Sequence, residues 1–302
     1  MTPERCEALV AGILKSMHKG LARDGEELKM LPSFVSKLDA YHGTFYALDL
    51  GGTNFRVLRV ELNESEPDNV RIKNFVIDPQ HMVGTGESLF EFLAACIHES
   101  IVSFGDERAS LEEPVHLGFT FSFPCQQTSI NAGTLLRWTK GFTATGVEGQ
   151  EVVALLQDAL RRLDVHVHVE AIVNDTVGTL MAHRRSDPRT VAGIILGTGT
   201  NGSYVEDLAR FAKWPAAPAG RMCVNMEWGN FGRDPASRAL LPLAAADAAL
   251  DAASLNPGEQ IFEKLVGGMY LGEAARRLFH QAADAGLALA GTPARIPDQA
   301  LT

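Results

Sequence analysis

No run of eighteen uncharged apolar residues occurs anywhere in the 302-residue chain, which argues against a transmembrane segment. The opening stretch, MTPERCEALVAGILKSMHKG, carries charges inside its short apolar segment. It reads as an amphipathic helix and not as a secretory signal. Cysteine is scarce: Cys6, Cys96, Cys125 and Cys223 are scattered, form no C-x-x-C pair and have no paired histidine nearby. Such spacing fits reduced thiols in a cytoplasmic protein and supplies no metal site, while association with an organelle surface stays open. Basic charge is also short, with 27 Lys and Arg against 37 Asp and Glu, a net charge of −10. A field of that sign argues against nucleic acid as a partner. No internal repeat at a fixed period is visible. What is present is apolar content: hydrophobic residues make up 46% and charged residues 21%, which excludes a disordered chain. The length suggests about two domains at roughly 150 residues each.

Apolar periodicity alternates between strand and helix spacing, the mark of an α/β chain. Residues 3–24 have helical spacing. The apolar runs TFYALDL (44–50) and NFRVLRVEL (54–62) flank a Gly-Gly pair and predict a β-hairpin. In the clearest strand, Val115, Leu117, Phe119, Phe121 and Phe123 share one face. A second alternation runs through Val165, Val167, Val169, Ala171 and Val173, and residues 149–163 between them read as a helix. VAGIIL (191–196) predicts a buried strand. Residues 87–103, 240–253 and 259–283 predict helices, and 290–302 a loop.

Three segments have the character of a site. Asp49-Leu-Gly-Gly-Thr-Asn54 delivers a carboxylate to a two-glycine turn. Backbone N–H groups of glycine approach an anion without a Cβ in the way, and Thr53 and Asn54 add donors. Arg56 lies on the following strand, although alternation does not fix which way it points. Gly-Gly alone favours an ordinary hairpin turn over a phosphate cradle, and at this turn there is neither a Walker A sequence nor G-x-G-x-x-G. Gly197-Thr-Gly-Thr-Asn-Gly202 is a second Gly-rich turn after an apolar strand, and two such turns suggest two lobes serving one polyphosphate. In Val173-Asn174-Asp175-Thr176 a strand ends at a carboxylate where a helix begins. Asp175 is there either the N-cap of that helix or a general base at a strand's C-terminal end. Ser122, Thr139, Lys140 and Glu227 lie in apolar or Gly-rich settings, where each alone reads as structural or as solvated surface.

Taken together, the sequence resembles the eukaryotic hexokinase family, which includes glucokinase. The resemblance is carried by LDLGGTNFRV (48–57), LGFTFSFP (117–124), TLLRWTKGF (134–142), VNDTVGTLMA (173–182), LGTGTNGSYVE (196–206), NMEWGNFG (225–232) and SLNPGEQIFEKLVGGMYLGE (254–273). It extends from about Leu31 to Glu273. The resemblance implies a two-lobed α/β fold of the actin-like ATPase type with a sugar cleft between small and large lobes. Residues 43–172 are then the small lobe, and 1–42 with 173–302 a partial large lobe. It implies ATP-dependent phosphorylation of a hexose, glucose, at its 6-hydroxyl, the first step of glycolysis, with ATP and Mg2+ as cofactors and no protein-held metal.

By the same resemblance Asp175 is the base and Lys140 its catalytic partner. Ser122, Thr139, Lys140, Asn174, Asp175, Asn201, Glu227, Gln260 and Glu263 surround the hexose. Asp49, Gly51, Gly52, Thr53, Asn54, Arg56, Gly197 and Thr198 face the nucleotide phosphates. Two departures stand out. Family members continue past Thr302 into an adenosine-binding Gly-rich motif, and GNFGRD (229–234) carries an arginine beside an acidic loop. The first leads to the expectation that this chain binds hexose better than ATP. It also keeps open two alternatives, an inactive sugar-binding or regulatory protein and a non-functional fragment. A bacterial-type sugar kinase with structural zinc is disfavoured by the missing Cys/His cluster.

Overall fold

The computed structural model describes residues 2–36, 42–51, 54–63, 68–106, 113–214, 217 and 219–287. In chain order its elements are α1 (Pro3–Ala22), β1 (Leu31–Pro32), β2 (Gly43–Leu50), β3 (Asn54–Leu62), β4 (Asn69–Val76), α2 (Pro79–Val83) and α3 (Gly86–Phe104). Then follow β5 (Val115–Phe121), β6 (Cys125–Ser129), β7 (Ala132–Leu135), α4 (Val152–Arg162), β8 (Val167–Val173) and α5 (Asp175–Ser186). The remainder is β9 (Ala192–Leu196), β10 (Thr200–Asp207), β11 (Arg221–Asn225), α6 (Pro235–Arg238), α7 (Ala245–Ala253), α8 (Ile261–Val266) and α9 (Gly268–Asp284). The tail read as a loop, 290–302, lies outside the described residues.

Contacts divide the chain into residues 32–185 and a second unit of 1–31 with 186–302. The sequence reading had put the boundaries at 42/43 and 172/173. The difference at the second boundary is α5, which continues directly from β8 and stays with it. Near its end, Arg185 Nη2 donates to Asp68 Oδ1 at 3.0 Å and to the Asn63 carbonyl at 3.2 Å, fastening the helix to the β3–β4 connection.

In the 32–185 unit a five-stranded sheet has the order β4-β3-β2-β5-β8. β4, β3 and β2 run antiparallel, while β2, β5 and β8 are parallel. One face of the sheet supplies Leu48, Leu50, Phe55, Val57, Leu117 and Phe119 to a core completed by Leu89, Phe90 and Leu93 of α3 and Leu156 and Leu160 of α4. Burying each such side chain contributes about 1.5–3 kcal/mol. The two helices are closed at their ends as their sequences suggest: Thr85 accepts from Ser88 N at 3.2 Å, Glu151 from Val153 N at 3.0 Å, and Gly105 ends α3 at φ 85°.

The β8 alternation breaks where the sequence reading ran it on. Leu117 pairs with Val169 but Gly118 with Ala171, so Glu170 is an extra residue in the strand. Beyond this bulge Ile172, 1% exposed, takes the core position instead of Ala171 or Val173. The bulge re-aims the strand end that leads into Asp175.

The second unit holds a sheet of order β1-β11-β10-β9, with β9 and β10 and β10 and β11 antiparallel. Residues 191–196 were expected to form a buried strand. They form the edge strand β9, and Ile194 and Leu196 are 51% and 72% exposed. An apolar run cannot by itself distinguish a central strand from an edge strand. The helix expected over 259–283 is broken at Gly267 into α8 and α9. A Cβ at Gly267 would lie 3.0 Å from the Thr198 carbonyl oxygen, and one at Gly268 2.9 Å from that of Gly197. The glycines let the start of α9 close onto that turn, and no other residue fits there without displacing backbone. No helix among the described residues is long and apolar enough to cross a membrane.

Candidate functional site

Strand register builds the site in the 32–185 unit. Asp49 of β2 pairs with Thr120 of β5, and Thr120 with Val173 of β8. The chain therefore leaves three adjacent parallel strands along one sheet edge, into Gly51, into Ser122 and into Asn174-Asp175. The carboxyl edge of such strands is where open α/β sheets bind ligands. The backbone joins two of the exits, since Ser122 N donates to the Leu50 carbonyl at 3.2 Å.

Lys140 is exposed but tethered. Its Nζ donates to the Ser122 carbonyl at 2.8 Å and stands 5.4 Å from the centroid of the Phe123 ring. Its backbone is left-handed at φ 56°, followed by Gly141 at φ 82°. The loop is braced beneath: Trp138 Nε1 donates to the Ala144 carbonyl at 2.9 Å, and its ring stacks on Phe142 at 5.2 Å. Thr139 is half-buried, and its carbonyl accepts from Phe142 N at 3.1 Å.

Arg56 sits opposite Asp49 in the β2·β3 register, and its Nη1 is 3.7 Å from Asp49 Oδ2, which settles its direction. Burial pushes the Asp49 carboxyl above its ordinary range, and the charges of Arg56 and Lys140 work against that rise. Around Gly51 there is open space where a Cβ would stand. Gly52 and Thr53 lie outside the described residues, as does the side chain of Asn54.

Capping falls one residue earlier than the sequence alternative had it. Asn174 Oδ1 accepts from Thr176 N at 3.0 Å and from Thr176 Oγ1 at 2.8 Å. Asp175 is the first residue of α5 and shares the Thr176 N–H at 2.9 Å. Its half-buried carboxylate thus stands at the end of β8 and at the positive end of the helix.

In the second unit, Gly197-Thr-Gly-Thr-Asn-Gly202 leads from β9 into β10. The first N–H groups of α9 close on it: Gly268 N donates to the Gly197 carbonyl at 2.7 Å and Met269 N to that of Thr198 at 3.0 Å. Glu263 Oε2 accepts from Thr200 N at 3.0 Å. Asn201 Nδ2 donates to Glu227 Oε1 at 3.1 Å. Glu227 and Gln260 have left-handed backbones, at φ 54° and 51°. Gln260 N donates to Asn230 Oδ1 at 2.9 Å, while Gln260 Oε1 is buried and, among the described residues, without a hydrogen-bond partner. A buried acceptor in that state is matched by a donor from an ordered water or a ligand.

Sequence reasoning passed over two residues here. Asn225, 8% exposed, sits between Asn201 and Glu227, and Lys29 Nζ is 3.9 Å from Glu227 Oε2. Asn225 opens the NMEWGNFG stretch at a strand end, which is a usable signal. Lys29 is distant in sequence and gives none. The arginine of GNFGRD, Arg233, donates through Nη2 to the Gly25 carbonyl at 2.6 Å, and the buried Glu27 accepts from Gly232 N and Asp234 N at 3.1 and 3.2 Å. Among the described residues no group of three His, Cys, Asp or Glu is arranged to hold a metal ion.

Comparison with known proteins shows the family. One family model described as hexokinase matches residues 1–185 and another residues 191–300. The chain is 49% identical over 278 residues to hexokinase-1 of Spinacia oleracea, covering 89% of this chain and 54% of that protein. It is 46% identical over 280 residues to hexokinase-3 of Homo sapiens, covering 91% of this chain and 29% of that one. A solved hexokinase from Schistosoma mansoni complexed with glucose matches with a TM-score of 0.82 at 37% identity, over 98% of this chain and 65% of that chain. The chain spans about half the length of the curated plant relatives that it matches.

Proposed function

The chain belongs to the hexokinase family, and from that premise we propose that it binds a hexose, glucose, and transfers a phosphoryl group from ATP to the sugar's 6-hydroxyl, the first step of glycolysis. The observation that carries the reading is the shared edge of β2, β5 and β8, which brings Asp49, Ser122 and Asn174-Asp175 to the ends of adjacent strands. In this reading Asp175 accepts the proton of the 6-hydroxyl, and Lys140 offsets negative charge as it develops on the transferring group. Ser122, Thr139 and Asn174 orient the sugar. Phosphoryl transfer demands positioning and charge neutralisation more than covalent help, and this residue set is of that kind.

The donor set suits MgATP. Asp49 offers the hard oxygen that magnesium prefers, and magnesium neutralises phosphate charge when bound. Arg56 beside Asp49, with the Gly51–Asn54 turn and the Gly197-Thr198 turn, supplies phosphate contacts.

Glu227, Glu263, Asn201 and Gln260 bind sugar hydroxyls, and the orphaned Gln260 Oε1 is matched by a hydroxyl donor. Each carboxylate replaces water at a hydroxyl with a charge-assisted bond, worth about 1.5–3 kcal/mol. Glu227→Ala and Glu263→Ala are therefore each expected to weaken glucose binding, measured by calorimetry without nucleotide, by tenfold or more. Unchanged affinity in both variants removes them from the site. Gly199→Ala is a subtler probe. Its Cβ would fall 2.3 Å from Glu263 Oε2, the mobile end of a side chain. We expect glucose affinity to drop while the melting temperature moves little; the reverse pattern would mean that Glu263 serves stability and not the sugar.

A further inference from the structure

Asn225 has no role in the reading above, yet it is wired into two residues that do. It ends β11, pairs with Ser203 across β10, and is 8% exposed. Its Oδ1 accepts from Asn201 Nδ2 at 2.8 Å, and its Nδ2 donates to Glu227 Oε1 at 2.9 Å. Asn201 Nδ2 also donates to the same Glu227 oxygen at 3.1 Å, and Asn201 Oδ1 accepts from Gly202 N at 2.7 Å. These bonds fix the amide of Asn201 with its NH2 toward Glu227, and they give Glu227 Oε1 two donors.

The arrangement decides which atom of Glu227 is left for a ligand. Oε1 is engaged by the two amides. Oε2 points to the side where Lys29 Nζ stands at 3.9 Å, too far for a hydrogen bond. The backbone beneath is under tension: Glu227 has φ 54°, a left-handed conformation that a non-glycine residue adopts at a cost of about 1–3 kcal/mol and only where its surroundings hold it. The surroundings include Met226 N donating to the Gly202 carbonyl at 2.9 Å and Met30 N to the Met226 carbonyl at 3.3 Å. Those bonds hold the backbone of the turn but not the rotation of the carboxylate. That rotation is left to Asn201 and Asn225.

We propose that Asn225 is a positioning residue for hexose recognition, holding Asn201 and the Glu227 carboxylate in one orientation so that Glu227 Oε2 meets a sugar hydroxyl. The proposal rests on the reading of Glu227 as a sugar ligand. Asn225 touches no substrate; it acts through the two residues that do. An aspartate in its place keeps the shape and the acceptor for Asn201. Ionised, it presents an oxygen where Glu227 Oε1 had a donor, and two carboxylates at that separation cannot both stay charged. Protonated, it donates again. Sugar affinity in Asn225→Asp thereby becomes dependent on pH, in the sense that acid restores it. Lys29 is the charged group facing the pair, and it pulls the restoring pH downward.

The test is glucose affinity by equilibrium dialysis at pH 8 and pH 5 for the unsubstituted chain, Asn225→Asp and Asn225→Ala, with melting temperatures alongside. We expect Asn225→Ala to bind about tenfold more weakly than the unsubstituted chain at both pH values, the loss of one bond to a charged group. Asn225→Asp is expected to bind about tenfold more weakly at pH 8 and to recover most of that loss at pH 5, relative to the unsubstituted chain at the same pH. The isosteric aspartate variant keeps the test sound if the alanine variant does not fold. Binding by all three chains with equal affinity, or a loss in Asn225→Asp that is the same at both pH values, overturns the positioning role. Absence of glucose binding by the unsubstituted chain overturns the assignment of Glu227, and the proposal with it.

Discussion

Asp175→Ala is expected to lower phosphoryl transfer to hexose by about 10² to 10⁴, the usual contribution of a positioned general base. Hexose affinity should change by far less, because the sugar keeps its bonds to the glutamates and amides. The carboxylate stands two residues past β8, at the first position of α5. The substitution leaves the Asn174 bonds to Thr176 in place, so the helix start is preserved. Steady-state turnover together with calorimetric glucose affinity checks this. Turnover close to that of the unsubstituted chain would assign the proton to some other group.

Asp251→Ala is expected to destabilise the fold by about 3–5 kcal/mol, the cost of stranding a buried charge. Lys264, 4% exposed, donates through Nζ to Asp251 Oδ1 at 2.7 Å and to the Asn256 carbonyl at 2.8 Å. Asp251 also accepts from Arg238 Nη2 at 2.6 Å and from Gly258 N at 3.0 Å. Burial raises the Asp251 carboxyl, but Lys264, the Gly258 N–H and Arg238 outweigh it and hold it below the usual range. A depressed carboxyl contributes stability that is fully present above its unfolded value of about 3.9 and is lost as pH falls through the lower folded value. Chemical unfolding at neutral pH should register the full loss in Asp251→Ala, and the gap to the unsubstituted chain should narrow below pH 4. An equal gap at pH 7 and pH 3 would mean that the ion pair is not its source. Lys264 follows Glu263 on α8, so glucose affinity should weaken alongside stability.

Much of the 32–185 unit was legible in the sequence because its signals are local. The hairpin of β2 and β3, the face of Leu117, Phe119 and Phe121, and the helices α3 and α4 each follow from spacing within one segment. What was not legible depends on neighbours distant in sequence. The Glu170 bulge arises from pairing between β5 and β8. The exposure of Ile194 and Leu196 depends on what covers their face of β9, and among the described residues that face is open. The break at Gly267 falls where Gly268 N and Met269 N turn to the carbonyls of Gly197 and Thr198, some 70 residues away in the chain. The site shows the same division. Asp49, Ser122, Lys140 and Asp175 stood out through their motifs, but the attachment of Lys140 to the Ser122 carbonyl and the amide link through Asn225 are tertiary facts. So is the approach of Lys29 to Glu227.

The most direct test of the account is to incubate the chain with glucose, MgATP and no other enzyme, and to follow the products by phosphorus NMR. The account predicts a sugar 6-phosphate resonance that grows with time, accompanied by ADP in equal amount, and that is suppressed in Asp175→Ala. Glucose bound by the chain with no phosphosugar formed would contradict it, and would make the protein a hexose-binding member of its family without transferase activity.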